Sequence, residues 1–391
     1  MILTQCAVCA TELGLTLGKK CGRCSTRYCG AECQVQHWKE GGHDKLCKQI
    51  KRSGGAEQYN ANKKYSEAVA VAATACAEDT KGQTCYICTQ ALHWKTREGL
   101  VRGCSCRGTA GFAHVSCLAE QAKILRQEAE ENNLDLKVQT ERFRRWSKCS
   151  LCEQQYHGVV FCALGWACWK TYLGRPEGER TRRLAMTRLG NGLHEARHYA
   201  DALSVGEAEL SMQRRLGDSA RNILIVQGNL ATTYRKLNRH EEALNLQRFV
   251  YSEWVKLKGE EYVETIREAT NYAVSLIDLQ RFEEARALLR PTIPVARRVL
   301  GEGRDLTLKI RWHYAAALYK DDDATLDDLR EAVTTLEDAG RTTRRIFGSA
   351  HPLTETIELH LRTSRDALHS CEGDDVSSVC DAVTAMTPGG A

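Results

Sequence analysis

The sequence predicts a mainly α protein in which two small cross-braced Cys/His fingers precede an α-solenoid of helix pairs. Three observations carry this. Fifteen of the 19 cysteines lie at or before Cys152, and all but Cys76 of these stand in close pairs or beside a histidine. Beyond about residue 181 a pattern recurs every 42 residues or so, the mark of stacked units that share a core. Only 5 prolines interrupt the 391 residues, so long helices are allowed.

Residues 1–52 hold Cys6-x2-Cys9, Cys21-x2-Cys24, Cys29-x3-Cys33 and His43-x3-Cys47. Eight ligands at such spacings suit two tetrahedral Zn²⁺ sites better than a disulfide framework. His37 competes with His43, but the step from His43 to Cys47 is one helical turn, which puts both on one face. Together with Tyr28 before Cys29, and Gln34 through Trp38 after Cys33, the string resembles the MYND zinc finger over residues 6–47. The resemblance implies one site from Cys6, Cys9, Cys29 and Cys33, and another from Cys21, Cys24, His43 and Cys47. It also implies that Gln34 and Trp38 face short proline-containing peptides; packing of Trp38 on the zinc core is the equal alternative. Lys19, Lys20, Arg23 and Arg27 read as a solvated face near the thiolates rather than a phosphate site.

Residues 53–83 read as a helical linker, because Tyr59, Tyr65, Ala68, Val69 and Ala72 recur at helical spacing before Asp79-Thr80-Lys81-Gly82 breaks the pattern. Residues 84–157 then carry Cys85-x2-Cys88, Cys104-x-Cys106, His114-x2-Cys117 and Cys149-x2-Cys152, with a charged helical stretch from Ala119 to Asn132 between the last two pairs. Cys104-Ser-Cys106-Arg107-Gly108-Thr109 and His114-Val-Ser-Cys117-Leu118 resemble the RING-CH finger of ubiquitin ligases; a PHD finger shares the Cys/His order but separates its third and fourth ligands further. The RING-CH resemblance implies one site from Cys85, Cys88, His114 and Cys117, and another from Cys104, Cys106, Cys149 and Cys152. It also implies that Ile87 contacts a ubiquitin-conjugating enzyme. Two positions depart from the family: Gln121 stands where it usually has Trp, and Glu153 where active members often carry a basic residue. His93 and His157 read as solvated or hydrogen-bonded, and Cys76, Cys162 and Cys168 as core residues.

Residues 158–183 form an apolar junction. Its run from Gly158 to Trp169 is about a dozen residues long against the ~20 that a spanning helix needs, so no transmembrane segment is predicted. In the solenoid, residues 184–371, Ala202, Ala243 and Ala285 fall 41 and 42 apart, and Gly217, Gly259 and Gly301 fall 42 and 42 apart. A fourth unit, from Arg311, drifts out of register to Gly348. Gly228-Asn229-Leu230-Ala231 and Thr270-Asn271-Tyr272-Ala273 resemble tetratricopeptide repeats of the kinesin-light-chain type. That implies a concave groove in which Asn229 and Asn271 grip a peptide backbone, with Arg188 and His313 at the equivalent positions. Residues 372–391, small and polar, read as a disordered tail.

The formal charge of +5 counts cysteines as neutral. Fourteen thiolates on four Zn²⁺ bring the chain to about −1, so overall basicity gives no argument for nucleic acid. No nucleotide-binding loop, catalytic triad or paired-carboxylate motif stands out. Protein or peptide partners are expected, either in an adaptor whose RING-CH finger directs ubiquitin or in a non-catalytic scaffold. A third class, chromatin reading through a PHD-like finger, needs an aromatic cage or acidic pocket that the sequence does not present. Reduced cysteines and the polar residues after Met1-Ile2-Leu3 predict residence in the cytosol or nucleus.

Overall fold

The computed structural model describes residues 5–11, 13, 14 and 17–385, with main chain alone beyond 372. Its first Cys/His module is built on a short antiparallel ribbon, β1 (Lys19–Lys20) against β2 (Arg27–Tyr28), with Lys19 opposite Tyr28. Helices α1 (Ala31–Lys39) and α2 (His43–Arg52) follow. The turn between them requires glycine, since a side chain at Gly41 would run into His37 and Gly42 holds φ at +69°. The core here amounts to Leu13, Tyr28, Ile50, Ala56 and four of the cysteines, too little burial to hold a fold unaided.

Helix α3 (Ala56–Ala75) occupies the stretch read as a helical linker, and turns follow at 79–82. The second module has little regular structure beyond the isolated bridges Val101 to Ala113 and Lys148 to Gln155. Its long interval between Cys117 and Cys149 is filled by α4 (Val115–Glu131) and α5 (Leu136–Phe143). Asp135 starts α5, its carboxylate accepting the N–H groups of Lys137 and Val138 at 2.8 and 3.0 Å.

The apolar junction becomes α6 (Gly158–Tyr172), a helix apolar on every side with 11 of its 15 residues buried. Such a helix must be enclosed. Helices α3 and α4 pack on it, as does α7 (Arg180–Glu195); α8 (Tyr199–Arg215) and α9 (Ala220–Lys236) then pack in chain order. One hydrophobic core runs from Ala61 through Phe143, Trp146 and Leu164 to Met212. The second Cys/His module and the first helices of the repeat are therefore a single body, within a unit that ends at Leu237. Among the described residues, no helix is long and apolar enough to cross a membrane.

The second unit begins at Asn238. It contains α10 (His240–Lys258), α11 (Val263–Asp278), α12 (Phe282–Leu300), α13 (Asp305–Tyr319), α14 (Leu326–Phe347) and α15 (Pro352–Ala385), each packed on its neighbours in chain order. The architecture is the mainly α one read from the sequence, small fingers followed by helix pairs. Ala202, Ala243 and Ala285 are all buried, and Gly217, Gly259, Gly301 and Gly348 all take positive φ at helix ends. A second marker was hidden from the sequence: Arg197, Asn238 and Gln280, again 41 and 42 apart, take φ of +58 to +63° at the turns within the repeats. The stretch read as a disordered tail has helical main chain to Ala385, and 386–391 lie outside the described residues.

Candidate metal centres

Four Cys-x2-Cys pairs fold into the same turn. In each, the N–H of the first cysteine donates to the carbonyl five residues on, and the N–H four residues on donates back to that cysteine's carbonyl. The sets are Cys6 with Thr11 and Ala10, Cys21 with Thr26 and Ser25, Cys85 with Gln90 and Thr89, and Cys149 with Gln154 and Glu153, at 2.8–3.2 Å. The returning residue, Ala10, Ser25, Thr89 or Glu153, holds φ between +55 and +63°, a left-handed conformation that carries a cost for any residue with a Cβ. In two turns a further N–H points at sulfur, Ile87 N to Cys85 Sγ and Leu151 N to Cys149 Sγ, both 3.4 Å. Donors aimed at sulfur favour the thiolate, the form that binds metal.

These turns, with Cys29, Cys33, His43, Cys47, Cys104, Cys106, His114 and Cys117, bring sixteen side chains into four groups. They are Cys6, Cys9, Cys29 and Cys33; Cys21, Cys24, His43 and Cys47; Cys85, Cys88, His114 and Cys117; and Cys104, Cys106, Cys149 and Cys152, with all ligand atoms of a group within 4.8 Å of one another. The grouping interleaves along the chain as the two resemblances imply.

Distances test the fit. Zn–S bonds of about 2.3 Å and Zn–N bonds of about 2.0 Å in a tetrahedron put sulfurs about 3.8 Å apart and sulfur about 3.5 Å from nitrogen. Cys9 lies 3.5 Å from Cys29 and 3.8 Å from Cys33, Cys21 lies 3.9 Å from Cys47, and Cys106 lies 3.7 Å from Cys149. His43 Nε2 is 3.4 Å from Cys24 Sγ, and His114 Nδ1 is 3.4 and 3.6 Å from Cys88 and Cys117. Each group is suited to one Zn²⁺, four in all, and a complete set of four protein ligands leaves no position open for substrate. His37 stands outside, its Nδ1 3.0 Å from the Tyr28 hydroxyl.

Neighbouring groups fix the ligands in place. His114 Nε2 faces the Ala91 carbonyl at 3.3 Å, which leaves Nδ1 for the metal. The Tyr86 hydroxyl reaches Ser150 at 3.0 Å and ties the turn at Cys85 to the turn at Cys149. Burial pushes that phenol up to about 12, against the opposing effect of the serine bond. Glu153, the departure after the last ligand, is paired with Arg145 at 2.7 Å, and Arg145 also donates to the Cys149 carbonyl at 3.1 Å.

The partner residues read from sequence fall as follows. Ile87 is 38% exposed and lines an apolar groove with His93, Trp94, Gln121, Ile124 and Leu125. Trp38 is 45% exposed, and its ring meets His43 edge-on at 5.8 Å between centroids, so it packs on the metal site while keeping an open face. Gln34 is half-buried. Asn229 is exposed in the first unit; Asn271, in the second, is half-buried and donates to Glu268 at 3.2 Å. Sequence reasoning missed Trp94, Ile124 and Leu151, which are 72, 46 and 51% exposed. Bulky apolar residues inside otherwise polar stretches were the available signal.

The geometry defines a zinc-finger protein that continues into a helical repeat. Residues 6–47 match the MYND finger family, residues 85–152 the RING-variant domain, and residues 224–250 and 269–305 the tetratricopeptide repeat. Among solved structures the chain is similar to BtubC (BKLC) from P. vanneervenii, at 13% identity over 71% of this chain and 93% of that one, with a TM-score of 0.40. It is also similar to a putative kinesin light chain from Podosopora anserina with nearly identical TPR-like repeats, in two crystal structures, each at 17% identity over 59% of this chain and 97% of that one, with TM-scores of 0.36 and 0.35. At such identities and scores these neighbours define no function. A search of curated proteins gives no match.

Proposed function

We propose that this multi-module interaction adaptor is a RING-variant ubiquitin ligase whose helical repeats recruit the substrate. Zinc fingers joined to tetratricopeptide repeats make it a protein-binding chain; the ligase step is the finer reading. What carries it is the groove beside the Cys85 turn. Ile87 supplies the apolar contact that the resemblance implies, and Trp94 and Ile124 extend it. Leu151, on the second turn, adds another exposed apolar side chain. Gln121 leaves the family's usual Trp position empty of an aromatic, yet Trp94 brings an indole to the groove from the preceding loop.

Such a finger does no covalent chemistry. It holds a ubiquitin-loaded conjugating enzyme beside a target lysine, and its catalysis is proximity and orientation. In the first finger, Gln34 and the open face of Trp38 bind a short proline-containing peptide; in the repeats, Asn229 in the first unit and Asn271 in the second are each a contact for peptide backbone. Cysteines kept as metal-binding thiolates favour residence in the cytosol or nucleus.

The test is autoubiquitination by zinc-loaded protein with a panel of conjugating enzymes. Chains that form with the wild type and vanish in Ile87→Ala and Trp94→Ala support the ligase. No chains, with four Zn²⁺ bound per molecule, leave a non-catalytic scaffold for the enzymes tested.

A further inference from the structure

The four metal groups differ in how far water reaches them. In the group of Cys21, Cys24, His43 and Cys47 every ligand is buried, none more than 7% exposed. In the second module Cys85, Cys104, His114, Cys117 and Cys149 are buried, and Cys88, Cys106 and Cys152 are half-buried. The group of Cys6, Cys9, Cys29 and Cys33 stands apart. Of the sixteen ligands only its Cys9 and Cys29 are exposed, and its Cys33 is half-buried.

The two exposed sulfurs are also neighbours, with Cys9 Sγ 3.5 Å from Cys29 Sγ. Cys9 belongs to the Cys6 turn and Cys29 follows β2, and the Ala7 N–H, donating to the Arg27 carbonyl at 3.2 Å, holds the two segments together. A disulfide bond is about 2 Å long, so rotation of two side chains brings these sulfurs within bonding reach. Cys33 lies equally near Cys29, at 3.5 Å, but it is half-buried and fixed in the first turn of α1.

Zinc ligands are thiolates, and a thiolate that solvent reaches is the form that peroxides oxidise. We propose that Cys9 and Cys29 are a site of reversible oxidation by a hydroperoxide, which closes an intrachain disulfide and dismantles this metal group before the other three. The thiolate of one cysteine attacks the peroxide: an S–O bond forms, the O–O bond breaks, and alkoxide or hydroxide leaves. The thiolate of the other then attacks that sulfur: the S–S bond forms, the S–O bond breaks, and hydroxide leaves. The two sulfurs lose two electrons in all, and the hydroperoxide gains them. Cys6 and Cys33 alone remain as ligands, two where a tetrahedral Zn²⁺ site needs four. Cys29 precedes α1 and Cys33 lies within it, so the change reaches the helix that carries Gln34 and Trp38. The oxidation site stands whether or not that helix binds peptide and whether or not the second finger is a ligase.

The test treats the full zinc-loaded chain, freed of reductant, with hydrogen peroxide beside a chromogenic chelator too weak to strip the reduced protein. One Zn²⁺ per chain is expected in a fast phase, about tenfold or more ahead of the other three. Protein stopped at the end of that phase, alkylated and digested without reduction, should carry one intrachain disulfide, Cys9 to Cys29. Dithiothreitol with added Zn²⁺ should restore four ions. Cys29→His keeps four ligands and cannot close the bond, so its fast phase should disappear. Cys371→Ser, which removes an exposed cysteine outside the four groups, should release zinc as wild type does. Release of all four ions together, a first disulfide between other cysteines, or a fast phase that persists in Cys29→His overturns the proposal. The peptide map of the wild type decides even where Cys29→His binds fewer than four Zn²⁺.

Discussion

Gly192 lies against the main chain of Phe161: a Cβ placed on Gly192 would stand 2.9 Å from the Phe161 carbonyl oxygen and 3.0 Å from the Cα of Cys162. Gly165 does the same in return toward Arg188 and Leu189. Helices α6 and α7 therefore cross backbone to backbone, and this crossing joins the core of the second finger to the repeat. Gly192→Ala is expected to lower stability by about 1–3 kcal/mol, because rigid backbone cannot yield as a side chain would. Gly190→Ala, on the same helix, meets only Val205 at 3.5 Å and should raise stability by about 0.5–1 kcal/mol. Urea denaturation of the zinc-loaded protein reads both, and effects of the same sign would sink the argument.

The shared core also bears on where the chain can be cut. Sequence reading placed a boundary at residue 157, yet Phe143 and Trp146 of the second module pack on Tyr172 at ring-centroid distances of 6.1 and 5.8 Å. A fragment spanning 84–157 leaves that apolar face open and is expected to aggregate even with zinc, whereas 1–237 keeps it covered. Light scattering of the two fragments decides; a monomeric, soluble 84–157 would show that the module closes without α6.

Zinc counting separates the two competing histidines. His43 Nε2 belongs to the second group, while His37 Nδ1 is held by the Tyr28 hydroxyl. His43→Ala should bind three zincs per chain, and His37→Ala should keep four. Each lost structural site removes on the order of 10 kcal/mol of binding free energy, so in the His43 variant the first finger should also lose its ordered amide signals.

How much of this was legible differs by residue. The sixteen ligands were readable because zinc demands soft side chains at close spacing, and their interleaved pairing came from family resemblance. The left-handed residues were not readable, since Ala10, Ser25, Thr89 and Glu153 include no glycine; the metal and the two bonds at each turn outweigh their strain. Nor was the central place of α6 readable: a twelve-residue apolar run reports that it is buried, not what buries it. Contacts between residues far apart in sequence, such as Arg126 with Thr181, leave no trace in local pattern.

That strain yields its own prediction. Thr89 holds φ at +60° at the Cys85 turn, and among the described residues its hydroxyl bonds only to the adjacent Cys88 carbonyl, at 2.7 Å. Thr89→Gly should stabilise the folded, zinc-bound state by up to about 1 kcal/mol, offset in part by the freer unfolded chain. Competition with a zinc chelator should show equal or tighter retention of metal. Weaker retention would mean that the threonine side chain contributes more than its backbone strain costs.

Glu268, buried on α11, offers a pH test in the second unit. Burial pushes its carboxyl up to about 7, against the hydrogen bond from Asn271 and the charge of Arg267, while the charge of Glu264 adds to the rise. A carboxyl whose folded pKa exceeds its unfolded value binds its proton more tightly when folded. Its effect is absent below about pH 4.5, and stability then falls as pH rises toward 7, by up to about 3 kcal/mol once the folded group must ionise. Glu268→Gln keeps an oxygen to accept from Asn271 and never ionises. The variant is therefore expected to match wild type near pH 4.5 and to exceed it by about 1–3 kcal/mol at pH 8, measured by denaturation of the zinc-loaded protein at both values. A difference that stays constant with pH would show that Glu268 does not retain its proton in the folded repeat.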